Sequence, residues 1–231
     1  MKEFEIDCLA RFVQISSENF VYGHLFRGVE NIVDHDLTPS IGRYLKIFQE
    51  NGLTKKDLLR EESQSFRMFY KEGASHGITN NYWEWLALAQ HHGLATRLLD
   101  WSYSPLIALY FAVSKDSDED ACVYVLDKKI KFLSTKEEKT LDPFEVTEVI
   151  AYLPAHITTR IRAQSGLFTI QPEPTRPLKD GIVGKIRIKK DFKRKIKLDL
   201  YSMGINQKTV FPDLDGLGSW IRWMKFETLT Y

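Results

Sequence analysis

Hydrophobic positions recur along the chain with two kinds of spacing, and each predicts its own elements. From Ser40 to Glu50, Ile41, Tyr44, Leu45 and Phe48 recur at three and four residues, the period of a helix with one buried face, and Asn51-Gly52 ends it. Lys55 to Lys71 repeats that pattern with Leu58, Leu59, Phe66, Phe69 and Tyr70, and Gly73 stops it. Asn80 to His92 predicts a third helix, with Trp85, Leu88, Ala89 and His92 on one side. Asn81 is its cap, Glu84 stands three residues later, and Gly93 follows its end. Pro105 to Ser114 is apolar nearly all round and predicts a buried helix, with Ser104 as cap and Pro105 in the first position.

Short apolar runs bounded by turn residues predict strands. They are Tyr22 to Gly28, the extended stretch Leu94 to Trp101, Ala121 to Leu126, Val146 to Leu153, Ile161 to Ile170 and Ile182 to Ile188. Residues 9 to 22 mix β-branched and aromatic side chains with a turn signal at Ser16-Ser17-Glu18-Asn19. Lys115 to Asp120 reads as a solvated loop, and Gln171 to Asp180, with three prolines, as an exposed connection. Asp199 to Met203 and Asp215 to Lys225 read as helical. Helices come first and strands later, which gives an α+β class: one domain over residues 1–231, with N-terminal helices packed on a mixed or antiparallel sheet.

Composition narrows the function. A chain of 231 residues with 43% hydrophobic and 27% charged residues suits one good-sized globular domain. Lys plus Arg number 32 against 31 Asp plus Glu, so the net charge of +1 exerts no global pull on nucleic acid or an anionic membrane. Two cysteines, Cys8 and Cys122, exclude a disulfide scaffold and an all-cysteine zinc site. Leu106 to Val113 is too short to cross a bilayer, and acids stand at residues 3–7 where a signal peptide needs an apolar run. A cytoplasmic location without a membrane partner is expected.

Candidate chemistry is densest from Leu88 to Trp101, which places Gln90, His91, His92, Thr96, Arg97 and Asp100 in an apolar setting. Such groups must pair with one another or with a ligand. The structural reading pairs Arg97 with Asp100 and lets His91 cap its own helix; the functional reading makes the cluster a site. His91 and His92 point about 100° apart on a helix and share no ion easily, so no metal is expected. Arg27, at the end of a strand, can hold a phosphate by two hydrogen bonds, and Gly28 lets a ligand near the backbone. Strand alternation places Arg160, Arg162 and Gln164 on one polar face. Gly184 to Lys197 holds eight Lys or Arg against one Asp, read as charges guarding an edge strand in preference to phosphate contacts. Asp213 or Asp215 can cap a helix after the Phe211-Pro212 turn.

Phe26-Arg27-Gly28, then Leu88 to Gly93 with Thr96 to Trp101, then Ser104-Pro105 with Ala108, Phe111 and Ala112, resemble the FRG domain family. Gln164 to Thr169 and Phe211 to Gly216 extend the resemblance over roughly residues 20 to 220; Ala95 stands where the family usually has proline. The order of elements is also similar to the ADP-ribosyltransferase scaffold. That likeness implies an enzyme acting on NAD as substrate, with a protein or nucleic-acid acceptor, and the FRG resemblance implies a bacterial or phage defence or toxin setting. The scaffold likeness implies Arg27, His91 and Gln164 as catalytic residues. It adds Phe26, Gly28, Gln90, Thr96, Arg97, Asp100, Ser104 and Arg162 as ligand-binding residues. Gln164 stands where such enzymes usually carry a glutamate, and a glutamine is no general base. A nuclease-type toxin, steered by the lysines of residues 185–197, and a non-catalytic nucleotide- or protein-sensing module are the alternatives.

Overall fold

The computed structural model describes residues 1–20, 22–76, 81–115, 117–155 and 158–227. Strands and helices are interleaved along it. In order they are β1 (Lys2–Ile6), α1 (Leu9–Asn19), β2 (Leu25–Val29), a 3-10 turn (Ile41–Tyr44) running into α2 (Leu45–Glu50), α3 (Lys55–Gly73), α4 (Tyr82–His91), β3 (Leu98–Ser102) and α5 (Pro105–Val113). Then follow β4 (Ala121–Leu126), β5 (Lys131–Phe132), α6 (Thr135–Thr140), β6 (Ile150–Tyr152), α7 (Thr159–Ala163), β7 (Gly166–Ile170), β8 (Ile182–Ile188), α8 (Lys190–Ser202), α9 (Gln207–Val210) and α10 (Leu214–Arg222).

The strands form one mixed eight-stranded sheet in the order β1-β8-β4-β2-β3-β7-β6-β5. The β1–β8 and β5–β6 pairs are parallel and the others antiparallel. The ladders differ in length. β2 runs beside β4 for five residue pairs and β3 beside β7 for five, whereas β2 and β3 meet only at Phe26 and Ser102. The sheet therefore has a seam at its centre; two cores lie one to each side of it, and a third, with Leu25, Leu126, Leu99, Trp101 and Leu167, spans it. On one side α1, α5 and α8 bury Phe12, Ile15, Leu109, Ile196 and Leu200 with β4 and β8. On the other, α3 and α4 bury Phe66, Trp83, Trp85 and Leu86 against Ile150, Phe168 and Ile170.

Several expectations are met in place. β4 and β8 match their apolar runs end to end, and α5 starts where Ser104 caps it, its Oγ accepting from Ile107 N at 3.4 Å. Asn81 caps α4 by accepting from Trp83 N at 2.9 Å; Asn80 lies outside the described residues. Others are corrected. The helices do not precede the strands, because β1, from the first residues, pairs in parallel with β8, and a strand's distant partner leaves no local mark. Residues 9–19 form α1: Leu9, Phe12, Ile15 and Ser16 make a buried stripe that overrides the serine-rich turn signal.

Ile161 to Ile170 divides into α7 and β7. Thr158 Oγ1 caps the helix at Ile161 N, and Ser165 turns the chain with a φ of +47°. The basic stretch guards no edge, since β8 lies between β1 and β4 and residues 190 onward belong to α8. Lys193 and Lys197 are buried there and donate to Ser117 Oγ at 2.6 Å and to Ser114 O at 2.8 Å. The connection after β7 is not wholly exposed. Leu178 is buried, and so is Gln171, which donates to Arg176 O at 2.6 Å.

Candidate functional site

The seam opens into a cleft of about 300 Å³, within the usual range for small-molecule sites. Both sides of the sheet build it. Phe26, Arg27 and Gly28 come from β2, and Asp100, Trp101 and Ser102 from β3. Ala108 and Phe111 of α5, Gln90 and His91 at the end of α4, Arg160 and Ile161 of α7, Gln164, Leu167, Phe168 and Phe211 complete the lining, with Gly166 at the start of β7.

Arg27 crosses the seam. Its Nη1 donates to Asp100 O at 2.7 Å and to Asp100 Oδ2 at 3.2 Å, where ladder hydrogen bonds between β2 and β3 have ceased. Its Nε is buried with no hydrogen-bond partner. Gln90 Nε2 donates to Asp100 Oδ1 at 2.8 Å, so both carboxylate oxygens are held. Gln90 in turn accepts from Thr96 Oγ1. Gly28 lines the cleft, but a Cβ on it would stand 1.9 Å from Ala108 O. The glycine therefore serves the close approach of α5 beneath β2.

The opposite wall carries a second guanidinium. Arg160 Nη2 donates to Asp213 Oδ2 at 2.7 Å, and its Cζ lies 4.9 Å from the Phe211 ring centroid. Its Nε, like that of Arg27, is buried without a partner. The Gly216 backbone N–H and then Arg160 hold Asp213 below the usual carboxylate range. Asp213 Oδ1 accepts from Gly216 N at 2.8 Å and so caps α10. Burial pulls the His91 imidazole below the usual histidine range; Arg160 and His92 add to this, and Asp213 and Asp100 oppose it. His91 is thus a neutral base at neutral pH. It does not cap α4, whose C-cap is His92.

Of the residues that the sequence singles out, Phe26, Arg27, Gly28, Gln90, His91, Asp100 and Gln164 come together around the cleft. Arg97 does not pair with Asp100. It points away into the core, where Nη2 donates to Glu62 Oε2 at 2.7 Å and Nη1 to Phe144 O at 3.2 Å. Thr96 is buried behind Gln90, and Ser104 is occupied as the cap of α5. Arg162 is exposed, because a helix turns it well away from Arg160 where a strand would have aligned them. Gln164 Nε2 donates to Val210 O at 3.3 Å, which ties its side chain to the far wall, and its main-chain carbonyl accepts from Ser102 Oγ at 2.7 Å.

Sequence reasoning passes over Ser102, Phe168 and Phe211 as lining residues, and it ranks Arg160 only as part of a polar face. The period-two alternation from Asp100 to Ser102 was a usable signal for the first. The others come from distant elements that no local pattern links to the cleft. Among the described residues no group of three or more His, Cys, Asp or Glu stands close enough to hold a metal ion. No helix among them is long and apolar enough to cross a membrane.

Residues 23–121 match the family model of the FRG domain, and the chain carries an FRG domain over that stretch. No curated protein and no solved structure matches the chain.

Proposed function

We propose that this FRG-domain protein binds NAD in the seam cleft and transfers its ADP-ribosyl group, in the manner of an ADP-ribosyltransferase acting as a defence or toxin effector. The observation that carries the reading is the pair of guanidinium groups, Arg27 and Arg160, reaching one cleft from the two sides of the seam, each with a buried and unpartnered Nε. Guanidinium forks match the oxygen geometry of a pyrophosphate. Phe111, Phe168 and Phe211 offer flat apolar surface to a base or sugar.

In this reading the bond from ribose C1′ to the nicotinamide nitrogen breaks, and its electron pair leaves with nicotinamide, which becomes neutral. The acceptor oxygen bonds to C1′ and gives its proton to the neutral His91 imidazole. Gln164 meets a ribose hydroxyl with its amide oxygen, because its nitrogen is engaged with Val210 O. The nuclease alternative has a thinner steering surface than the eight basic residues of 184–197 suggest, since Lys193 and Lys197 are buried in α8 and Arg187 and Lys189 pair with Asp120 and Glu5. Gln164 in the place of a glutamate favours a second reading, a nucleotide-sensing module without turnover.

Thermal shift with NAD, ADP-ribose, ATP, a short RNA and a short DNA tests the proposal, because a ligand of the native state raises Tm. NAD or ADP-ribose raises it, Arg27→Ala and Arg160→Ala abolish the rise, and nicotinamide release accompanies NAD binding. A shift without release leaves the sensing module. Silence with NAD and ADP-ribose sinks the nucleotide reading.

A further inference from the structure

Among the described residues that line the cleft, Asp100 is the one acid. It stands on β3 just past the rung where β2 departs, between the buried Leu99 and Trp101, yet its side chain is 61% exposed. An exposed carboxylate ordinarily keeps its rotamer freedom, and holding it costs entropy. Here both oxygens are held, one by Gln90 and one by Arg27. Gln90 is itself fixed by Thr96 Oγ1. Thr96 is in turn clamped to the chain before the 3-10 turn, its N–H donating to Ser40 Oγ at 2.9 Å and its carbonyl accepting from Ser40 Oγ at 3.0 Å. A chain of contacts thus runs from a half-buried strut between residues 40 and 96 to a carboxylate of the cleft lining.

We propose that Asp100 is the carboxylate that faces the reacting sugar, and that Gln90 is its positioning residue; this rests on the reading of the cleft as an NAD site. Loss of nicotinamide leaves positive charge on C1′ and the ring oxygen. A fixed anion set against that charge stabilises the transition state more than the ground state. Gln164 cannot serve in this way, because it is neutral and its amide nitrogen is tied to Val210. Asp100 takes no proton in the step: the leaving nitrogen keeps the bond pair, and the acceptor's proton goes to His91.

The experiment measures nicotinamide release and the NAD-induced thermal shift on the full chain. Asp100→Asn keeps the shape of the side chain and its contact with Arg27, and is expected to lower kcat by about 100-fold or more while the NAD-induced shift persists. Gln90→Ala is expected to lower kcat about tenfold with KM little changed. Wild-type turnover that survives in folded Asp100→Asn overturns the assignment and leaves the NAD reading intact. Should Asp100→Asn not fold, Gln90→Ala decides, and an unchanged kcat there overturns the assignment. A wild-type chain that neither binds nor cleaves NAD overturns both.

Discussion

Arg97 and Asp100 lie three residues apart, and each forms an ion pair with a different partner. Arg97 and Glu62 sit 2.7 Å apart with side chains 5% and 1% exposed. Arg27 and Asp100 sit 3.2 Å apart with side chains 16% and 61% exposed. The first pair is sealed between α3 and the start of β3, where desolvation is large and each charge depends on the other. The second bridges a seam, keeps one member open to solvent and leaves a guanidinium nitrogen without a partner. Identical functional groups therefore hold the fold in one place and face a cleft in the other, and burial separates the two roles.

The largest expected effect breaks the buried pair. Arg97→Ala leaves Glu62 uncompensated and is expected to cost about 3–5 kcal/mol in thermal or denaturant unfolding. Burial already pushes the Glu62 carboxyl up, against the pull of Arg97, so the variant raises it further. A carboxyl whose folded-state pKa is raised favours the folded state when protonated and loses that contribution as pH rises through the folded value. The gap in Tm between wild type and Arg97→Ala should therefore narrow on acidification, as Glu62 takes up its proton. A gap that widens on acidification would contradict the buried-charge account.

Next is Gly28→Ala. Its Cβ would meet Ala108 O at 1.9 Å and Ala112 N at 2.7 Å, both backbone atoms of α5 that cannot yield without moving the helix. Unfolding should show a loss of about 1–3 kcal/mol, together with weakened ligand binding, because α5 also lines the cleft. Arg27→Ala sharpens the contrast from the other side. Its partner is exposed, so the stability change should be about 1 kcal/mol or less, while the nucleotide-induced rise in Tm disappears. A loss comparable to that of Arg97→Ala would make Arg27 a structural arginine. The smallest effect concerns pH. Burial lowers His91 from its ordinary value of 6.5, so its base form, and with it any turnover, should persist into mildly acidic solution before failing. His91→Gln should remove that acid limb from the pH profile of nicotinamide release.

The parts of the fold that follow from local periodicity were legible. α5 is capped by Ser104, and β4 and β8 are apolar runs with clear ends. What depended on distant partners was not. The amphipathic stripe of α1 was masked by its serines. The polar residues before β7 read as a strand because alternation and a single helical turn look alike over five residues. The Phe26-Arg27-Gly28 triplet and the Gln90 to Asp100 stretch both reach the cleft, yet spacing alone misassigned the arginine that Asp100 meets. Arg97 stands just before β3 and points into the core toward Glu62, whereas Asp100 lies on β3 at the cleft, and its true partner, Arg27, comes from a neighbouring strand 73 residues away. Arg160, Phe168 and Phe211 lie beyond residue 121, outside the stretch matched by the FRG family, so that stretch alone does not complete the cleft.

The insertion of β8 between β1 and β4 has a consequence for the order of folding. Lys2 must wait for Gly184, and Ala121 for Ile188, so one late segment closes two ladders at once. Closing so long a loop costs entropy before any contact offsets it, and topologies of this kind fold slowly. While a chain is still being synthesised, β2 and β4 can already pair, but β4 then presents bare backbone donors and acceptors along its other side. Until residues 182–188 leave the ribosome, that side is open to the wrong partner, and the nascent protein is at its most vulnerable to aggregation there.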